Sequence, residues 1–227
     1  DQFHPYLQVM EKARAADPKK RVTGGDAVHP GPPGQSLMAA SILKALKFPS
    51  LVSSAEVNAA KLEVVKAQQC QIKDVAAGAD GGIQFNRLDA ALPFFPAPAR
   101  SMLEWAPILE ELNDYRLTVT GLKPGQYEVK LGGKKVAECA DTALAAGVNL
   151  ASTALTNGPV AYQVANVVAA VEAKNRYFHD RIFRGVTLAP AGIPDFVANK
   201  KELDAQIESQ RGAAFTNRLA DMPKYEE

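Results

Sequence analysis

Asp26 and His29 stand three residues apart in the run Gly24-Gly25-Asp26-Ala27-Val28-His29-Pro30. At that spacing a carboxylate can accept a hydrogen bond from imidazole Nδ1–H. The contact fixes the tautomer, stabilises the imidazolium and leaves Nε2 as a general base. Pro30 steers His29 away from helical geometry, so the ring is carried on an extended segment. The other reading is an Asp-capped turn with a solvent-facing His, and the spacing alone leaves both open. His4, before Pro5, reads as a surface or packed residue. So does His179, near the C-terminal end of a long predicted helix, where a cation is favoured.

Other groupings are weaker. Gly132-Gly133-Lys134-Lys135 lacks the spacing and the following helix of a phosphate loop, and reads as a hairpin turn. Gly78-Ala79-Asp80-Gly81-Gly82 supplies too few acidic ligands for a calcium loop and reads as a polar turn. Asp74, Asp80 and Asp89 are too dispersed to form a site by sequence. Cys70 and Cys139 are too few for a zinc cluster or a disulfide framework. Both fall on predicted strands, as buried thiols or, in an exported protein, as one disulfide. Lys200, Lys201, Arg211 and Arg218 alternate with Glu202, Asp204 and Glu208 on the last helix, which is a solvated face.

The elements that must position these groups follow from periodicity. Asp1 to about Ala16 reads as a short helix closed by Asp17-Pro18. Arg21 to Thr23 is extended, and the Gly- and Pro-rich stretch Gly24 to Gly34 is a stiff loop. Gln35 to Leu46 is a helix with Leu37, Met38, Ala40, Ile42, Leu43 and Leu46 on a buried face and Lys44 and Lys47 at its C-terminal end. From Leu51 to about Ala140 the period becomes alternating. Strands are expected over Lys61–Lys66, Gln69–Ile72 and Ile83–Phe85. Leu92 to Pro98 reads as a rigid apolar linker with little room for a helix, and Leu103 to Leu112 as a short helical insert. Arg116–Thr120, Gln126–Leu131 and Lys134–Cys139, separated by Gly-bearing turns, predict a β-meander. A helix follows from Pro159 to about Phe178, then a breaker at Ala189 to Pro194 and a last helix over Asp195 to Leu219.

Composition bounds the function classes. The 227 residues are 47% hydrophobic and 22% charged, ordinary for a globular chain and too apolar for wholesale disorder. The net charge of +1 provides no electrostatic footprint for nucleic acid, and no apolar run is long enough for a membrane span. Residue 1 is Asp, not Met, and Pro5 to Ala16 already reads as the middle of a domain. The expectation is therefore a chain that starts inside a longer protein, and the lack of a signal peptide carries no information about localisation.

Gly25-Asp26-Ala27-Val28-His29-Pro30-Gly31-Pro32-Pro33-Gly34 with Leu37-Met38-Ala39 resembles the last conserved block of the SGNH (GDSL-type) hydrolases. In that family the Asp-x-x-His-Pro block supplies the Asp and His of a Ser-His-Asp triad, between the final strand of a parallel sheet and a closing helix. The resemblance implies an α/β fold class: a partial three-layer α/β/α domain over 1–50, a β-rich insert over 51–150 and a C-terminal helical pair over 151–227. It implies ester hydrolysis in the intact protein, with Asp26 and His29 catalytic and no metal or organic cofactor. The substrate would be a small-molecule or carbohydrate ester, and export would be the expected destination. The Gly-Asp-Ser nucleophile block and the oxyanion-hole blocks are absent, and Ser36, Ser41, Ser50, Ser53 and Ser54 all follow His29 in the wrong order. The 227-residue chain is expected to be inactive alone. From Ser53 onward, Leu122 to Tyr127 and Ala146 to Ala151 resemble the long C-terminal extension of some bacterial members. The alternative function is a carbohydrate-binding or structural module over Leu51 to Ala140, with Trp105, Tyr115 and Tyr127 as its aromatic platform.

Overall fold

A computed structural model describes residues 1–26, 28–78, 81–180 and 198–220. The breaker at Ala189 to Pro194, Ala79 and Asp80 of the expected polar turn and the first residues of the helix expected from Asp195 lie outside the described residues. The chain is a mixed α/β protein with helices at its C-terminal end. Two compact units separate, residues 1–164 and residues 165–227.

In the first unit, helix α1 (Phe3–Ala16) buries Val9 and Ala13 and packs on α2 (Pro32–Ala45), which buries Gly34, Leu37, Ala40 and Ser41. The second helix starts three residues before the expected Gln35. Pro32 and Pro33 occupy its first turn, where a missing N–H costs nothing and the fixed φ suits the helix. The opposite side of α2 meets no such packing: Ile42 and Leu46 are exposed.

A four-stranded sheet follows, in the order Glu63–Gln68 (β2), Leu51–Asn58 (β1), Asp114–Thr120 (β5), Val148–Asn149 (β8). Strands β1 (Leu51–Asn58) and β5 (Asp114–Thr120) are its parallel centre, with Ser53 opposite Tyr115, Ala55 opposite Leu117 and Val57 opposite Val119. All six are buried, as period two requires of residues on one face. Strand β2 (Glu63–Gln68) pairs antiparallel with β1 and is an exposed edge. Strands β3 (Cys70–Ala77) and β4 (Ile83–Asp89) form a separate hairpin, closed by Gly78 N–H donating to Gly82 O at 2.8 Å. The two-residue strand β8 (Val148–Asn149) completes the sheet next to β5.

The expected β-meander is not formed. Strands β6 (Gln126–Leu131) and β7 (Lys134–Ala140) make an isolated two-stranded hairpin, and β5 belongs to the other sheet. The buried face of β5 is matched to β1, so its partner is chosen by core burial rather than by the nearest turn. Gly132 and Gly133 both have positive φ, as a two-residue hairpin loop demands, which establishes that segment as a turn. The apolar linker also ends earlier than expected, in a 3-10 helix at Ala97–Glu104 that buries Ala99 and Met102 and packs on α2. Short helices α3 (Ile108–Leu112), α4 (Asp141–Ala146) and α5 (Ala151–Ala154) flank β5 and β8.

Helix α6 (Pro159–Tyr177) begins at the expected proline, with Val160 and Val164 buried. In the second unit, α7 spans Lys200–Leu219. Cys70 and Cys139 are half-buried free thiols on β3 and β7.

Candidate active site

The loop between α1 and α2 is built by local bonds. Gly24 and Gly25 both have positive φ, and Gly25 pairs with Pro30 in an antiparallel bridge. The turn inside it is closed by Asp26 N–H donating to His29 O at 3.1 Å. A Cβ at Gly25 would lie 2.0 Å from His29 O, so the close approach admits glycine alone. Gly34 is similarly pinned, where a Cβ would lie 2.7 Å from Pro30 Cβ and 2.8 Å from Tyr6 Oη. Gly34 N–H donates to Thr23 O at 3.0 Å, and Gln35 Nε2 donates to Pro30 O at 2.9 Å. The base of the loop is thus tied to the start of α2.

Within this frame Asp26 and His29 are brought together. Asp26 Oδ1 accepts the backbone N–H groups of Val28 at 2.7 Å and His29 at 2.6 Å. His29 Nδ1 lies 3.1 Å from Asp26 Oδ2. These backbone donations from His29 and Val28, with the imidazole contact, hold the Asp26 carboxyl below its ordinary range. An ionised carboxylate only accepts, so Nδ1 is the donor in this contact, and the neutral imidazole that makes it has its lone pair on Nε2. The side chains of His29 and Asp26 are 82% and 66% exposed. Nε2 therefore faces outward and is not turned into the core of this unit. No serine hydroxyl among the described residues bonds to it. Ser36 Oγ donates to Pro33 O, Ser41 Oγ to Leu37 O and Ser53 Oγ to Asp89 Oδ1. The geometry is that of a His oriented by an Asp on an exposed turn.

A second polar cluster lies at the interior of the β region, where sequence reading found none. Asp89 on β4 accepts from Ser53 Oγ at 2.6 Å, Arg87 Nε at 2.7 Å and Tyr115 Oη at 2.8 Å. Arg87 also donates to Ser53 Oγ at 2.6 Å and to Arg116 O at 3.1 Å, and its guanidinium lies 4.2 Å over the Tyr115 ring. Burial pushes the Tyr115 phenol up from its usual value, and its bond to Asp89 acts in the same direction. This satisfied network ties the β3–β4 hairpin to the central strands and offers no open face for chemistry. Ser53 and Tyr115 lie 26 to 36 residues from Arg87 and Asp89, too far for any local pattern to mark the cluster.

The aromatic platform of the alternative reading is not assembled. Tyr115 is 2% exposed and belongs to that network, so it cannot stack on a sugar. Tyr127 donates its hydroxyl to Lys123 O at 2.9 Å. Trp105 is half-buried and borders a groove of about 390 Å³ with Val9, Leu37 and Ile108, while Lys20 Nζ approaches its ring to 5.7 Å.

No protein-family model matches the chain, and no curated protein matches it. A solved structure of a gut microbial diltiazem-metabolizing enzyme shares its fold, with a TM-score of 0.69 at 23% identity. The match covers 97% of this chain and 56% of that one, so the chain spans little more than half the length of that enzyme.

Proposed function

We propose that this chain is the C-terminal part of a serine ester hydrolase of the SGNH (GDSL-type) kind, whose nucleophile is supplied by sequence ahead of residue 1. The observation that carries the reading is the setting of the His29 Nδ1–Asp26 Oδ2 contact, on a loop outside both helices that the Gly25–Pro30 bridge closes and whose carboxylate two backbone N–H donors anchor. That arrangement holds one imidazole tautomer and presents the basic nitrogen outward. The greater length of the enzyme that shares the fold, and the fact that it acts on a small organic molecule, support the reading.

In the intact protein His29 Nε2 takes the serine proton as the hydroxyl attacks the ester carbonyl, then passes it to the leaving alkoxide. Asp26 holds the ring in register and stabilises the imidazolium. Water repeats the sequence on the acyl-enzyme. Each tetrahedral intermediate needs oxyanion donors from the preceding sequence. The substrate is a small-molecule or carbohydrate ester, with an acetylated carbohydrate the first choice to try.

The test uses the full coding sequence that contains these residues, assayed on an aryl acetate, on acetylated xylan and on diltiazem. His29→Ala is expected to lower turnover on the order of 10⁴-fold or more, and the 227-residue chain alone to fall about 10⁶-fold short of the intact enzyme. Undiminished turnover in His29→Ala would remove the basis of the assignment.

A further inference from the structure

The groove beside Trp105 runs between α1, α2 and the Trp105–Pro107 segment that joins the 3-10 helix to α3. Its walls are apolar: Val9 from α1, Leu37 and Ala40 from α2, Ile108 from α3 and the half-buried indole. Asp26 and His29 do not line it, and neither does any member of the Asp89 network. Its volume of about 390 Å³ lies in the range that small organic ligands occupy. Such sites combine an apolar or aromatic wall with a few convergent polar groups.

Charge at this groove is one-sided. Lys44 and Glu111 line it as an ion pair at 2.6 Å, so together they are neutral. Lys12 also lines it. Its Nζ donates to Trp105 O at 3.3 Å and forms no ion pair among the described residues. Lys20 Nζ lies 5.7 Å from the centroid of the Trp105 ring, again with no ion pair among the described residues. Two ammonium groups therefore meet on one tryptophan, and the partners they have there are a carbonyl dipole and a ring quadrupole. Neither partner cancels a full charge. Lys12 uses one of its three N–H donors in the bond to Trp105 O. Cations gathered against an apolar wall raise the local concentration of anions through their summed field.

We propose that this groove binds a small amphipathic carboxylate. The apolar body lies against Val9, Leu37, Ile108 and the indole, and the carboxylate accepts from Lys12 Nζ. Lys20 adds to the attraction, and Glu111, held by Lys44, does not oppose it. The site is distinct from the Asp26–His29 loop and does not depend on the esterase reading.

The experiment is a titration of the ¹⁵N-labelled protein, expressed from its full coding sequence, with naphthylacetate and with its neutral analogue naphthylethanol. The indole N–H resonance of Trp105, identified by its loss in Trp105→Phe, reports on the groove directly. Naphthylacetate is expected to move it with a Kd on the order of 1 mM or lower, and the alcohol to bind about ten-fold more weakly. Lys12 is exposed, so Lys12→Met leaves the fold intact. That variant should weaken the acid about five-fold, the upper end for an exposed ion pair, and leave the alcohol unaffected. Lys61→Met removes an exposed lysine that pairs with Glu63 outside the groove, and should change neither ligand. A Trp105 resonance that the acid does not move overturns the proposal. So does equal affinity for acid and alcohol, or an equal loss in Lys12→Met and Lys61→Met.

Discussion

Loss of Asp89 should cost this fold heavily, because one carboxylate serves three donors. In Asp89→Ala three donors lose their acceptor at once: Ser53 Oγ, Arg87 Nε and Tyr115 Oη. The Arg87 and Asp89 side chains are each only 10% exposed, so water cannot readily replace the carboxylate. The guanidinium keeps its bonds to Ser53 Oγ and Arg116 O but becomes a nearly buried charge without a counter-charge. Breaking such a pair from one side costs about 3–5 kcal/mol, against a total stability of about 5–15 kcal/mol for a domain. The orphaned hydroxyls are part of that same cost and are not added to it.

The assay is urea unfolding followed by fluorescence and circular dichroism. With a slope of about 2–3 kcal/mol/M, the midpoint of Asp89→Ala should fall by roughly 1.5 M. Replacing both charges, as Arg87→Met with Asp89→Leu, removes the unpaired ion along with its partner. The double variant should therefore be less damaged than the sum of the singles by about 1.5–3 kcal/mol. A loss below about 1 kcal/mol in Asp89→Ala, or single effects that add within about 0.5 kcal/mol, would show that the network is not coupled as the distances imply.

Three other outcomes follow from the geometry. Gly25→Ala places a Cβ 2.0 Å from His29 O at a φ of +68°, so it should cost more than the roughly 1–2 kcal/mol of a left-handed residue and displace the His29 ring. Unchanged imidazole ¹⁵N shifts and unfolding midpoint in that variant would refute the loop assignment. Glu128, bonded to Lys130 and Lys135, should titrate at about 2, which carboxyl ¹³C shifts can read; a midpoint near 4 would break the assignment. Because that value is depressed, the stabilisation from these ion pairs is present above the ordinary glutamate range and is lost as pH falls through about 2. Tyr115 has the opposite sign: its raised value means stability held below about 10 and lost as pH rises beyond it, so tyrosinate absorbance should show this residue ionising only with alkaline unfolding.

The parts of the fold that sequence reveals are those in which local pattern and burial agree. Helices α1 and α6, the strands of the β3–β4 and β6–β7 hairpins, and the turn at Gly132-Gly133 each declare themselves by period or by punctuation. Strand β1 does not, although it is central, because its core-facing residues are Ser53, Ala55 and Val57. Two of these are small and one is polar, and Ser53 is suited to its place only through Arg87 and Asp89, more than thirty residues away. The pairing of β5 with β1 is invisible for the same reason: a parallel partner is set by matching buried faces across a long connection. The Asp26–His29 contact was legible since all its determinants lie within a few residues, whereas the Ser53–Arg87–Asp89–Tyr115 network joins the neighbours Arg87 and Asp89 to partners 26 to 36 residues away.

The chain contains the Asp-x-x-His-Pro pattern a second time, as Asp1-Gln2-Phe3-His4-Pro5. There Asp1 Oδ1 accepts from Phe3 N–H at 3.0 Å and His4 N–H at 3.3 Å, and Asp1 Oδ2 lies 2.6 Å from His4 Nδ1. The two contacts are alike because Asp-x-x-His-Pro makes its own turn; the geometry is a product of five residues and specifies no reaction. The difference lies in the setting. His4 falls in the first turn of α1, whereas His29 is lifted off both helices by the Gly25–Pro30 bridge and tied to a helix with an uncovered apolar face. Chemistry at His29 therefore depends on what is brought to its outward nitrogen, and His4 is the natural control. His4→Ala should leave ester turnover of the full-length protein unchanged while His29→Ala abolishes it. Equal effects of the two would mean that the turn, not the site, is what both residues serve.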